Sequence, residues 1–269
     1  MKYDPIKNIF GDIVRKRPIF RVSFYKLLGV LFLREWHVKR ELRRLLSESG
    51  EDVQIYDAGS GFGQYSYYMA KHFPGATIYA VDVKDEQIKD CSIFFRAVGL
   101  HRCSFSVEDL TQINHKNRFD FILSVDVMEH IDDDVRVFKN FYRALKSHGA
   151  LFINTPSNLG GSDAHNPDDK SFIEEHARNG YGADEIRAKL ESVGFSVEKL
   201  RYTYGPWGTI AWRLGIKYPM LMLNANKGFF FFLPIYYAIT FPFTLVFMFL
   251  DYISNNTTGT GLNVVARKA

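Results

Sequence analysis

The chain has 269 residues, 46% of them hydrophobic and 16% aromatic, so its length allows one large domain with a sizeable core. The formal charge of +4 is unevenly spread: residues 1–50 hold 12 Lys and Arg against five Asp and Glu, which favours an anionic partner surface, either lipid headgroups or nucleic acid. The two cysteines, Cys91 and Cys103, exclude a disulfide framework and a metal pair at C-x-x-C spacing, and they favour a reduced, cytoplasmic setting.

Residues 1–50 are predicted to form two helical pieces that are separated near Pro18. The second piece, from Phe24 to Leu46, is apolar nearly all round in its first half and alternates basic pairs with Leu and Val in its second half. Two interpretations remain open, a cap packed over a cleft and an interfacial helix that turns Arg and Lys toward lipid headgroups. Charges run through the N-terminal residues without an uninterrupted apolar core, so no secretory signal is expected.

A glycine-rich turn follows the first predicted strand. Residues 53–56 form that strand, Asp57 follows, and Gly59, Gly61 and Gly63 precede a helix that begins near residue 64. Glycines let the backbone turn sharply and approach a ligand where a Cβ would clash, and the N-terminus of the following helix directs its amides at the same point. The third glycine of the fingerprint G-x-G-x-x-G is missing, which argues against a pyrophosphate dinucleotide.

Strands and helices alternate after this turn. The second strand, 76–81, ends in Asp82, where nucleotide-binding α/β sheets hold a ribose through its two hydroxyls. Asp132, Asp133 and Asp134 precede an apolar-periodic segment, and carboxylates suit the positive start of a helix better than a metal site here. Further strands are predicted over 104–107, 119–125, 150–154 and 195–202, with helices over 64–73, 84–98 and 183–192.

Five motifs then occur in register: D-A-G-S-G-F-G from Asp57, A-V-D ending at Asp82, V-E-D-L ending at Leu110, F-D-F-I-L-S-V-D-V-M-E-H-I from Phe119 and G-A-L-F-I-N-T-P from Gly149. In this order and spacing the chain resembles the class I S-adenosylmethionine-dependent methyltransferases, and within them the branch that acts on ubiquinone and lipid-like small molecules. The resemblance covers about residues 50–200 and the last ten. It implies an α/β, doubly wound, seven-stranded Rossmann-like sheet, with 261–267 as an antiparallel last strand.

The resemblance also implies roles for individual residues around S-adenosylmethionine. Asp57 and the three glycines would hold its methionine portion, and Asp82 would hold the ribose hydroxyls. The remaining cofactor residues would be Asp109 and the Leu110 backbone at the adenine amino edge, and Ser124 and Val125 near the sulfonium.

Catalytic groups are less well defined. Asp126, Glu129 and His130 stand where related ubiquinone O-methyltransferases have E-x-x-E-H, a segment associated with a divalent metal, and carboxylate–carboxylate–imidazole is a chemically sensible set for a hard metal. The alternative is that His130 only forms hydrogen bonds within its loop. His176, in a segment that resembles H-x-R-x-G-Y, and His165 are further candidates for a general base.

An aromatic-rich insertion is predicted over 205–258, between the sixth strand and the last. Its residues 229–250 carry no charge and are long enough to cross a bilayer, but a single crossing would separate 261–267 from the rest of the sheet. Pro234 and Pro242 are also expected to break a helix there. We therefore expect membrane contact, with a dry lid over the active site as the alternative and a true span as the least expected interpretation. The predicted divisions are 1–50, 51–204, 205–258 and 259–269.

These features favour methyl transfer to a lipophilic or membrane-associated small molecule. They predict a cytoplasmic protein, peripheral on the inner face of the membrane, that contacts it through 20–46 and 229–250. The alternatives are a nucleic-acid or protein methyltransferase and a non-catalytic, cofactor-binding membrane protein. Nucleic acid is the less expected partner, because the insertion is Phe-rich where a nucleic-acid channel needs cationic grooves.

Overall fold

The structure is a computed structural model that describes residues 18–47, 50, 52–160 and 178–269. His165 and His176, two of the candidate bases, lie outside the described residues, as does the helical piece expected before Pro18.

Seven strands form one sheet in the order β3-β2-β1-β4-β5-β7-β6. The strands are β1 (Gln54–Ala58), β2 (Thr77–Asp82), β3 (Cys103–Val107), β4 (Phe119–Val125), β5 (Leu145–Pro156), β6 (Phe195–Thr203) and β7 (Gly261–Lys268). Strands β1 to β5 pair in parallel, whereas β7 runs antiparallel to both β5 and β6. The predicted fold class, with its antiparallel last strand, is confirmed.

Helices cover both faces of this sheet, because its central strands are apolar on both sides. The helices that the structure describes before β6 are α1 (Pro18–Leu31), α2 (Leu33–Ser47), α3 (Gln64–His72), α4 (Asp85–Ala97), α5 (Asp134–Ala144) and α6 (Ala183–Ser192). Helices α2 and α3 pack on one face and α5 and α6 on the other. Asp133 caps α5 by accepting a hydrogen bond from the Arg136 amide, which agrees with the predicted role of the acidic run.

Most predicted boundaries lie within two residues of the observed ones, but two predictions near the N-terminus and in the sheet are wrong. Pro18 begins α1, because its fixed φ suits the first helical position, and the piece expected as one helix over 24–46 is divided between α1 and α2. The interruption lies at Phe32, where the Trp36 indole donates to the Gly29 carbonyl at 2.8 Å and takes up an acceptor of the last turn of α1. Strand β5 begins at Leu145, five residues before the expected start.

The chain between β6 and β7 forms a helical hairpin. Its outward leg holds α7 (Pro206–Trp212), a π-helical turn (Arg213–Lys217) and α8 (Tyr218–Ala225); its return leg holds a 3₁₀ turn (Lys227–Phe232) and α9 (Leu233–Ile253). The prediction that Pro242 breaks a helix is wrong, because α9 continues through it. Pro234 lies in the first turn of α9, where the 3₁₀ turn ends and the α-helix begins. The hydrogen bond that Pro242 removes would use the carbonyl of Ala238, an exposed residue.

Candidate functional site

The loop after β1 has a left-handed backbone at each of its glycines. Gly59 has φ 82°, and a Cβ there would lie 2.2 Å from a methyl group of Val127, so only glycine allows this contact between the loop and the end of β4. Gly61 has φ 51°, and a Cβ there would meet nothing within 4 Å. The Gly59 and Ser60 amides donate to the Val81 carbonyl at 2.9 and 2.8 Å. The loop is therefore fixed against β2 and β4 while the space above Gly61 is open.

Asp57 lies beneath this loop and is 2% exposed. Burial raises the pKa of its carboxyl to about 6, although the Ser66 hydroxyl, which donates to it at 2.5 Å, opposes that rise. A carboxylate that is costly to ionise when buried is stabilised by a cationic ligand group. Asp57 therefore suits the amino end of a bound amino acid moiety.

Asp82 ends β2 and faces the glycine loop. Its two carboxylate oxygens accept hydrogen bonds from the Gly61 amide and the Lys84 amide, both at 3.0 Å. Those bonds hold the carboxylate at the edge where β1, β2 and β4 end, which is the edge at which open α/β sheets bind nucleotides.

The first helix closes over the loop from outside. Arg21, 3% exposed, donates to the Phe62 carbonyl at 2.7 Å and to the Asp90 carboxylate at 2.6 Å. The Tyr25 hydroxyl donates to the same Phe62 carbonyl. Since Phe62 lies between Gly61 and Gly63, helix α1 holds the loop in its left-handed conformation.

The second helix reaches the end of β4. The Arg34 guanidinium pairs with the Asp126 carboxylate, and the Arg34 amide donates to the Tyr204 hydroxyl at 3.0 Å. Asp126 follows β4 directly and has φ 51°, an unusual value for a residue with a Cβ. Helix α2, the end of β4 and the start of the hairpin thus meet at one point of the sheet edge.

Residues 56–153, which run from β1 through the glycine loop to β5, match the family model described as a methyltransferase domain. The chain therefore carries a methyltransferase domain. It is 28% identical over 206 residues to phosphoethanolamine N-methyltransferase 1 of Arabidopsis thaliana. The aligned part covers 72% of this chain and 37% of that protein. It is 32% identical over 108 residues to the ubiquinone biosynthesis O-methyltransferase of Parvibaculum lavamentivorans. This alignment covers 39% of this chain and 41% of that protein.

A solved structure has the same fold. Phosphoethanolamine N-methyltransferase 2 of Haemonchus contortus, in complex with S-adenosyl-L-methionine, superposes with a TM-score of 0.61 at 18% identity over 96% of this chain and 60% of that one. The chain spans less than half the length of the two curated relatives named above. The resemblance to S-adenosylmethionine-dependent methyltransferases, and with it the cofactor class, is confirmed at the level of the family.

The methyltransferase site fits a polar nucleoside ligand. The hydroxyls of Ser60, in the glycine loop, and Ser124, at the end of β4, are buried and lack a hydrogen-bond partner among the described residues. Buried polar groups without partners are costly unless a ligand or water satisfies them. With the open space above Gly61 and the carboxylate of Asp82 beside it, this edge can hold the predicted cofactor.

At the predicted adenine end of the site, the Asp109 carboxylate is bonded within its own turn. Asp109 is exposed, and its carboxylate accepts from the Thr111 amide and hydroxyl and from Gln112, so it holds its own turn. The neighbouring Glu108 accepts from the Tyr56 and Tyr79 hydroxyls, each at 2.8 Å. The adenine contacts of Asp109 and the Leu110 backbone, and the lining role of Val125, stay predictions.

The metal set proposed from Asp126, Glu129 and His130 is not assembled. Within the described part of the chain no group of three or more His, Cys, Asp and Glu side chains is placed to hold a metal. Asp126 is paired with Arg34, while Glu129 is 1% exposed and accepts from the Thr155 hydroxyl at 3.0 Å. The carboxylates are thus turned to different partners, and the donor set does not fit a divalent ion. His130 stays a candidate base, in a 3₁₀ turn after β4.

Four residues at the site are not predicted from the sequence: Arg21, Tyr25, Arg34 and Tyr204. Each lies outside the five motifs and is brought there by a long-range contact, so no spacing in the sequence indicates it. The basic and aromatic residues near the N-terminus were assigned to a cap or to a membrane-facing helix; of those two, the contacts with the glycine loop agree with the cap.

Proposed function

We propose that the chain transfers the methyl group of S-adenosylmethionine to a lipophilic acceptor that reaches the site from a membrane. The observation that carries the cofactor half is the left-handed loop of Gly59 and Gly61, joined to Asp82 by the Gly61 amide. S-adenosylmethionine supplies an activated methyl group on a positively charged sulfur, so the protein mainly has to bind, orient and exclude water.

The residues of the chain divide this work. Asp57 would face the cationic amino group, and Asp82 would accept from the ribose hydroxyls after exchanging its bond to the Gly61 amide. Arg21 and Tyr25 hold the loop closed, which keeps water from the reacting atoms. Arg34 and Asp126 stand as a fixed ion pair at the end of β4, where the acceptor must approach.

The acceptor half of the proposal is supported by the position of the hairpin. It begins at Gly205, directly after Tyr204, whose hydroxyl is bonded to helix α2 beside the Arg34–Asp126 pair. An apolar segment therefore starts at the edge that we assign to the cofactor. The relatives are named for phosphoethanolamine, for ubiquinone biosynthesis and for malonyl-[acyl-carrier protein], so similarity to them does not indicate which acceptor this chain uses.

The test uses labelled methyl donor and two extracts of the same cells, one of membrane lipids and one of water-soluble metabolites. We expect label in a lipid-extract component and calorimetric binding of S-adenosylmethionine that Asp82→Asn weakens at least tenfold. Asp120→Asn is the matched control, because this carboxylate lies at the opposite edge of the sheet, where it accepts from the Gln54 amide at 2.9 Å.

The outcomes separate the two halves of the proposal. Unchanged binding by Asp82→Asn would show that the cofactor site is wrongly assigned. Label in the water-soluble extract alone, or in added RNA or protein, would overturn the lipophilic acceptor while leaving the cofactor site intact. Binding without any labelled product would favour the non-catalytic alternative.

A further inference from the structure

The outer face of α9 is apolar along its whole length and faces solvent. Phe231, at the tip of the hairpin, is 80% exposed. Six side chains follow at helical spacing and are all more than half exposed: Ile235, Ile239, Phe243, Val246, Phe249 and Ile253. A surface helix of a water-soluble domain carries polar residues on its outer face. The outer face of α9 instead carries this apolar stripe, which is about 30 Å long at 1.5 Å per residue.

The opposite face of α9 is fixed to the protein. Met248 packs with Leu33 and Ala211, and the buried Asp251 carboxylate accepts from the Gly208 amide at 3.1 Å and contacts His37 at 2.9 Å. Because β6 and β7 flank the hairpin and pair with each other, both of its ends lie at the same sheet. The stretch Lys227–Ile253 is long and apolar enough to span a membrane by length and composition, and 11% of its most apolar window is buried. Its C-terminal part is held against the rest of the protein through Met248 and Asp251.

A basic groove adjoins this face. It has a volume of about 760 Å³ and lies between helices α1, α2 and α3, with Tyr252 of α9 at one side. Lys26, Lys39, Arg43 and Lys71 line it, and none of the described residues that line it is acidic. Tyr252 is one residue from Ile253 and less than one turn from Phe249, so the groove and the apolar stripe meet at the C-terminal end of α9.

We propose that the stripe and the groove together form a docking surface for an anionic lipid bilayer, with α9 lying in the boundary between headgroups and acyl chains and the groove over lipid phosphates. Interfacial helices bind by buried apolar area together with attraction to anionic lipids, and both are present here. The hairpin adds to this charge pattern, because from Gly205 to Leu250 the chain has three basic residues, Arg213, Lys217 and Lys227, and no acidic one.

A second copy of the chain is the alternative occupant, and the charges disfavour it. A two-fold dimer places the same patch on both sides of the interface, so it would bring the four cations of one groove toward those of the other. A bilayer offers instead an apolar layer beside a layer of phosphates. The inference rests on the proposed function, since it states where the protein would meet a lipophilic acceptor. Vesicle binding is measured without methyl donor, so the docking surface and the proposed methyl transfer can each fail without the other.

The experiment is flotation of the full chain with phosphatidylcholine vesicles, with and without phosphatidylglycerol. Ile235→Ser combined with Ile239→Ser tests the stripe, and Ile93→Ser is its control, because Ile93 is 71% exposed on α4, which does not line the groove. We expect the double variant to lose at least tenfold in vesicle affinity and the control to bind like the wild type, with unchanged S-adenosylmethionine binding in both.

Charge reversal tests the groove. Lys26→Glu combined with Lys71→Glu should lose about tenfold or more of the affinity for anionic vesicles, since each basic residue near an anionic surface contributes about 1 kcal/mol. Lys139→Glu, on α5 across the sheet, is the control and should change this affinity little.

Three results would overturn the inference. One is vesicle binding that survives both sets of substitutions. Another is a wild-type chain that ignores vesicles and forms a dimer that Ile235→Ser with Ile239→Ser dissociates, which would assign the stripe to a second copy. The third is a groove that retains RNA or DNA in place of anionic vesicles, with the same loss on charge reversal.

Discussion

Replacing Gly59 by alanine separates the two reasons for glycine in the loop. The new Cβ would lie 2.2 Å from one Val127 methyl carbon and 3.1 Å from the other, and the residue would keep a φ of 82°. A left-handed conformation costs a residue with a Cβ about 1–2 kcal/mol, and overpacking costs about 1–3 kcal/mol. We therefore expect Gly59→Ala to lower the free energy of unfolding by about 2–5 kcal/mol.

A double-mutant cycle isolates the steric part. The three atoms nearest the new Cβ all belong to Val127, so Val127→Ala in the same chain should recover about 1–3 kcal/mol and leave the conformational cost. Urea unfolding of the wild type, both single variants and the double variant gives the coupling free energy. A coupling below about 0.5 kcal/mol, the range of independent sites, would refute the reasoning.

Gly61→Ala is the comparison within the same loop. Its Cβ meets nothing within 4 Å, so only the conformational cost of about 1–2 kcal/mol should remain. The added methyl would, however, enter the open space that we assign to the cofactor. Calorimetry should therefore show a marked loss of S-adenosylmethionine affinity in Gly61→Ala, out of proportion to its small loss of stability.

Three further predictions concern buried groups around the site. Asp57→Asn should raise the free energy of unfolding at pH 7–8 by up to about 3 kcal/mol, because burial raises the pKa of Asp57 from its ordinary 3.8 to about 6. The same variant should weaken S-adenosylmethionine binding, and unchanged stability in urea unfolding would contradict the prediction. Burial lowers the pKa of His37 beside Asp251, so the unfolded chain binds more protons and stability should fall as pH drops below about 6.5; His37→Gln should flatten that pH profile. Arg21→Met removes the buried donor to the Phe62 carbonyl and should lower the free energy of unfolding by about 2 kcal/mol. It should also speed the dissociation of S-adenosylmethionine in stopped flow, whereas an unchanged off-rate would show that α1 does not hold the loop.

Local pattern was sufficient for the sheet and its helices. Strand β4 and helix α6 were predicted with their observed ends. Five of the seven residues of β4 are apolar, as expected of a strand buried on both faces, and the helix has its own apolar period and a glycine after its end. The interruption at Phe32 was missed because it depends on a hydrogen bond from Trp36 to the Gly29 carbonyl. The continuity of α9 through Pro242 was missed because proline at an exposed turn removes one bond without clashing with a packed neighbour.

The cofactor loop was accessible from sequence because its chemistry is carried by neighbouring residues. Gly59, Gly61 and Asp82 lie at strand ends, and parallel strands bring their carboxyl ends to one edge. The partners of Asp126 and Glu129 were not accessible in this way. A carboxylate in a motif can serve a metal or an internal ion pair, and only the position of Arg34, 92 residues earlier in the chain, shows which of these Asp126 has.

By itself, the sequence determined the class of this protein, the order of its strands and helices and the residues of its glycine loop, because each of these is set by spacing along the chain. The tertiary structure decided what closes the site and what is left uncovered. Whether an apolar segment becomes a lid or a surface depends on which of its faces finds a partner: α9 buries Met248 and Asp251 and leaves Ile235 and Ile239 in solvent. That choice is made by packing between distant parts of the chain, which periodicity does not encode.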